Sequence, residues 1–280
     1  MEQNMNPNTF NNKMAPILES HGYSRLPKMA KGWYKTNLDQ IHCICLNVSK
    51  NLSEYTMELA VHFSGIPSLS NGLELSPADM TIFDQAHFET RLGKLQYGCD
   101  HWYPIPRISE VGLGPVQDTI EHCDKALRDF GALWRDELTL VQKLPPAHLQ
   151  DELERLAHCP NTRDSIKEAF GLLTIINSST NPKAVAQAEQ KLAEQDRRSQ
   201  EFKKTLLLPK VLLGWEEYDV GKVAFIMAHV LQQRQRYDFA RLYADFWLTH
   251  CPQRYHESTP AVMRITNAIT AIAQNSATTR

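Results

Sequence analysis

From Tyr55 to Phe63 every second residue is apolar: Tyr55, Met57, Leu59, Val61 and Phe63, with Thr56, Glu58, Ala60 and His62 between them. Side chains alternate across a strand, so this period of two requires an antiparallel sheet with one buried face. Further on the period changes. Val116, Ile120, Cys123, Leu127, Phe130, Trp134, Leu138 and Val141 step by three or four, the spacing of an amphipathic helix. A chain that changes period in this way predicts an α+β fold. Residues 7–110 form an antiparallel sheet of three to four strands with a packed helix. Residues 111–280 form an all-helical, hairpin-like or repeat-like half, with a sub-boundary near 206–217.

Neighbouring signals fill in the elements. Asn8–His21 places Phe10, Met14, Ile17 and Leu18 on one side of a helix stopped by Gly22, although Pro16 removes a hydrogen bond unless it lies in the first turn. Gly32–Thr36 and Ile41–Lys50 read as strands joined by Asn37-Leu38-Asp39, and a fourth strand is expected over His87–Leu95. A long loop rich in Pro, Gly and Ser begins at Gly65. After the long helix, Pro145-Pro146 breaks the chain. Leu149, Leu153 and Leu156 mark a shorter helix, and Ile166, Phe170, Leu173 and Ile176 mark another. Lys183–Thr205 has few large apolar residues and reads as a solvated helix. Tyr218–Arg234, Tyr237–His250 and Pro260–Gln274 follow with short breaks, hence as antiparallel neighbours.

Charge narrows the function classes. The total of −2 excludes a generally basic nucleic-acid binder. Glu110–Glu154, however, holds ten acidic residues against four basic ones, so −6 sits there and +4 is left for the rest. No apolar run approaches the roughly 20 residues of a membrane span. The Asn-rich start, Met1 to Asn12, lacks the order of a secretion signal, and a cytoplasmic location is expected.

The search for chemistry finds no phosphate loop, no Gly-x-Ser-x-Gly and no His-Glu-x-x-His. Cys43 and Cys45 share a strand face, but no second ligand pair stands at zinc spacing, and His42 points the other way. They are read as semi-buried sheet residues, with no metal and no cofactor expected. Glu121-His122-Cys123-Asp124 contains a nucleophile and a base, yet consecutive helical residues splay about 100° apart, and Cys123 falls on the apolar stripe. The partner-binding candidates are therefore Asp118, Glu121, Asp124 and Asp136 on the long helix, the loop aromatics Trp102 and Tyr103, and Arg91 on the fourth strand. For the aromatics, capping the sheet core is the competing role; for Arg91 it is plain solvation.

The order His21-Gly22-Tyr23-Ser24-Arg25, Gly32-Trp33-Tyr34-Lys35, Leu46-Asn47-Val48-Ser49-Lys50, Arg91-Leu92-Gly93 and Asp100-His101-Trp102-Tyr103 resembles the bacterial domain-of-unknown-function family DUF-4304. The likeness covers roughly Asn8 to Leu144. Asn47 or Val48 stands where that family favours Gln, and Tyr103 where a second Trp is common. Members look like accessory and immunity-type genes of toxin systems. The resemblance therefore implies a non-enzymatic cytoplasmic protein that binds and occludes a cognate bacterial toxin, with no nucleic acid or membrane as partner. An adaptor or chaperone for a secreted effector, acting through the helical half, is the alternative, as is an enzyme that reverses a toxin's modification.

Overall fold

The computed structural model describes residues 6–51, 53–70, 72–74, 76–78, 80, 86–106, 114–157, 171–205, 220–250 and 256–278. The first helix, α1 (Pro7–Ser20), opens on Asn6, whose side chain accepts from the Asn8 N–H. It closes as the sequence predicts. Tyr23 N–H reaches Leu18 O and Gly22 N–H reaches Glu19 O, with Gly22 at φ 82°, a closure that a left-handed glycine permits. Pro16 lies deep inside the helix rather than in its first turn. It is exposed, so the carbonyl it leaves open is near water, while Phe10, Met14 and Leu18 anchor the opposite side.

The sheet contains β1 (Ser24–Arg25), β2 (Gly32–Asn37), β3 (Gln40–Val48), β4 (Glu54–Phe63), β5 (Phe88–Arg91) and β6 (Tyr103–Pro104). All pairings are antiparallel, in the order β1-β2-β3-β4-β5. Strand β6 pairs with the first residues of β4, on the edge that β5 uses farther along. Six strands replace the expected three or four, because β1 and β6 are two residues each, too short to show a period.

Two expectations are corrected. The fourth strand stops at Arg91, and Leu92–Tyr97 forms a helix, α2, closed by Gly98 at φ 72°. Helical spacing brings Leu95 to the same core that buries Leu92, which an extended chain would not do. The sheet is also buried on both faces. Tyr55, Met57, Leu59, Val61 and Phe63 join the main core, while Ala60, Ile41 and Cys43 join a smaller cluster with Leu26, Met80 and Ala86. Segments before β2 and β5 fold over that second face. Between Tyr55 and Phe63 the intervening positions are Thr56, Glu58, Ala60 and His62; the one charged residue among them, Glu58, is only half-buried and meets Arg91.

Helix α3 (Gly114–Val141) buries every residue of its predicted stripe, and α4 (Pro146–Ala157) follows Pro145. Residues 171–178 (α5) and α6 (Pro182–Thr205) are mostly exposed. The tail is α7 (Val220–Gln233), α8 (Tyr237–His250) and α9 (Thr259–Thr278), packed in sequence. Among the described residues no strand follows Pro104. The strands thus lie at or before Pro104 and only helices are described from Gly114 on, yet one hydrophobic cluster runs from Phe10 through Trp134 to Ile269, joining both halves. The 206–217 sub-boundary, Ile166 and Phe170 lie outside the described residues. No described helix is long and apolar enough to cross a membrane.

Candidate functional site

Three of the sequence candidates converge on one patch. Arg91 ends β5 directly opposite Glu58 on β4. Its Nε donates to Glu58 Oε1 at 3.3 Å and its Nη1 to Asp100 Oδ2 at 2.5 Å. The guanidinium sits 5.7 Å from the ring centroid of Trp102, which is partly exposed. Gly93 makes this possible: a Cβ there would fall 2.6 Å from His101 Cβ and 2.7 Å from its backbone nitrogen. Tyr103, on β6, does cap the core, with its ring 5.5 Å from that of Tyr55 and its hydroxyl donating to Gln96 Oε1. Burial pushes its phenol upward. His101 lies between Tyr103 and Tyr97, and Tyr97 is 59% exposed. The patch thus sets an arginine held by two carboxylates beside a partly exposed tryptophan, with the exposed Tyr97 nearby on α2.

The acidic candidates do not form one face. Asp118, Glu121 and Asp136 are exposed, but Asp124 is only 7% exposed and fully engaged. It accepts from Tyr23 Oη at 3.1 Å and Lys35 Nζ at 3.2 Å, and pairs with Arg128 Nε at 3.0 Å. Burial alone would raise its pKa; the hydrogen bond and charge of Lys35, the Tyr23 hydroxyl and Arg128 outweigh that and hold the carboxyl below its usual range. Lys35 also donates to the carbonyl of His21. Asp124 thus ties the end of α1 and β2 to α3 and is not free to dock. Its place beside the apolar stripe, four residues after Ile120 and three before Leu127, was the available signal.

A cleft of about 780 Å³ lies over this clamp. Asp118, Glu121 and Asp124 line it, but so do Lys35, Lys125 and Arg128, so the charges balance. Asp136 does not line this cleft; it lies twelve residues beyond Asp124 on α3, about 18 Å at the helical rise. The excess of acidic residues in sequence therefore does not become a negative face here.

The thiols of Cys43, Cys45 and Cys123 and the imidazoles of His42 and His87 are absorbed by the fold. Burial pushes the Cys43 and Cys45 thiols up to about 12, and Cys123 also upward. Cys43 contacts Met80 Sδ at 3.7 Å in the smaller cluster, and His42 faces the other way, 2.9 Å from Gln40. His87 accepts from Phe63 N–H on Nδ1 and donates from Nε2 to Pro67 O, so both nitrogens are used. Among the described residues no group of three His, Cys, Asp or Glu side chains is placed to hold a metal.

A second cleft, of about 450 Å³, opens between the segment after β4 and helices α7 and α9. His229, Arg264 and Glu74 line it, none of which the sequence singled out. Nothing local links residues so far apart in the chain, and only their shared wall reveals them. No family model, curated protein or solved structure matches the chain.

Proposed function

We propose that the chain is a binding protein, and more narrowly an immunity protein that occludes a cognate bacterial toxin in the cytoplasm. The observation that carries this reading is the Arg91–Trp102 pair. Arg91 is oriented by Glu58 and Asp100 before any partner arrives, and Trp102 beside it is partly exposed. Arg, Trp and Tyr carry much of the energy of protein interfaces, and groups already held in place lose little freedom on docking. The segments Arg91-Leu92-Gly93 and Asp100–Tyr103, which carry part of the resemblance to DUF-4304, are the segments that build this patch. The thiols of Cys43, Cys45 and Cys123, buried in the core, and both ring nitrogens of His87, committed to internal hydrogen bonds, favour binding over catalysis.

Inhibition would be steric: a surface of about 1,600 Å² laid across the toxin's active site excludes its substrate. The test is co-expression with candidate protein toxins taken from the genes beside this one. The wild-type chain should restore growth, and the double variant R91A/W102A should not, while keeping its circular dichroism spectrum. Rescue by the folded double variant would remove the patch from the mechanism. Failure of the wild-type chain to rescue would remove the immunity reading.

A further inference from the structure

The cleft between α7 and α9 is braced on several sides. Gln233 Nε2 donates to Gly65 O at 3.1 Å, fastening the end of α7 to the exit of β4. Ser258 Oγ donates to Leu69 O at 2.6 Å, and a Cβ on Gly72 would lie 3.0 Å from Glu257 O, so the loop bearing Glu74 is seated against the start of α9. Its volume, about 450 Å³, falls within the roughly 300–1,000 Å³ of small-molecule sites.

The lining is chemically divided. His229 is 7% exposed and lines the cleft from α7. Its Nδ1 lies 2.8 Å from Phe225 O, an acceptor, so Nδ1 carries the proton and Nε2 is left with a lone pair. Burial, with the charge of nearby Arg264, lowers its pKa to about 4, so the ring is neutral. Arg264 brings a guanidinium from α9 and Glu74 a carboxylate from the loop. Among the described residues no ion pair engages either of them. Ile265, Ala261 and Ile272 supply an apolar wall.

We infer that this cleft binds a small zwitterion with an apolar side group, an apolar α-amino acid or the equivalent groups of a short peptide. Arg264 takes the carboxylate. Glu74 and His229 Nε2 accept from the ammonium, which is the donor-rich group that a carboxylate and a neutral imidazole acceptor both require. The side group rests on Ile265 and Ile272. A simple anion would leave Glu74 opposed to it, and a simple cation would leave Arg264 so. A zwitterion answers both charges.

The site is independent of the Arg91 patch and is tested apart from it. Leucine, N-acetyl-leucine, leucinamide and leucyl-leucine are titrated into the full chain by calorimetry. Leucine should bind saturably at millimolar or lower concentration. Masking its ammonium as the acetyl compound, or its carboxylate as the amide, should each weaken binding by about tenfold or more, as should R264Q and E74Q in the protein. Both substitutions are at exposed positions and should leave the melting temperature unchanged. Binding of the dipeptide without leucine would assign the cleft to peptides. Absence of binding for leucine and dipeptide alike, equal binding of the masked compounds, or leucine affinity unchanged in both variants would overturn the inference.

Discussion

The Lys35 ammonium and the Asp124 carboxylate meet at 3.2 Å across 89 residues of sequence, joining β2 to α3 beneath a charged cleft. Removing the carboxylate strands Tyr23, Lys35 and Arg128 together, two of them partly shielded from water. Asp124→Ala should therefore cost about 2–3 kcal/mol in urea unfolding. Lys35→Met, at a more exposed end, should cost about 1 kcal/mol or less. Equal and negligible effects would show that the clamp is only a surface pair.

Exposed Glu121 behaves differently. Because Lys35, Lys125 and Arg128 balance the acids of its cleft, Glu121→Lys should leave stability within about 0.5 kcal/mol. If this face steers a basic toxin, the same change should slow association at low salt with dissociation unchanged. Stopped-flow kinetics against salt concentration separates steering from a merely solvated face.

Acid should destabilise the protein well before its carboxylates titrate. Burial lowers His42, His62 and His229 to about 4, and His87 well below its ordinary value. Above pH 6.5 these rings are neutral in both states. Below it the unfolded chain takes up protons that the folded chain refuses, so stability falls between 6.5 and 4, by up to about 1.4 kcal/mol per pH unit and site. Asp124, lowered in the folded state, adds a loss of the same sign at more acid pH. Urea midpoints at pH 7.5, 6 and 5 should decline steadily; a flat series would contradict the neutral assignment.

Gly93 is expected to accept no side chain. Gly93→Ala drives a methyl group into the backbone of His101 and should cost about 1–3 kcal/mol by overpacking. It should also displace Asp100 and Trp102 from Arg91, seen as a changed tryptophan emission and loss of partner binding. Retained emission and full binding would mean that the segment simply slides.

Met57 tests the sheet itself. It is wholly buried in the main core, so Met57→Ala should cost about 2–5 kcal/mol. Met57→Asp should prevent folding by placing an unpaired charge among apolar side chains, with loss of the folded circular dichroism spectrum as the readout.

What could be read before folding was whatever depends on near neighbours. The alternation through Tyr55–Phe63, the stripe from Val116 to Val141 and the stop at Gly22 each reflect steric and solvation preferences acting over a few residues, and each stands in the structure. Tertiary contacts decided the rest. Leu92 and Leu95 turned an expected strand into a helix because the core lay on one side of both. Asp124 looked like an exposed acid until Lys35 and Tyr23 arrived from the sheet side. Arg91, Trp102 and Asp100 became one patch only when α2 folded the chain back past Gly93. His229, Arg264 and Glu74 share a wall because α7, α9 and the loop after β4 pack together. Periodicity specifies which face of an element is apolar. It carries no information about which distant polar groups will be brought within hydrogen-bonding range, since that depends on how the apolar faces meet.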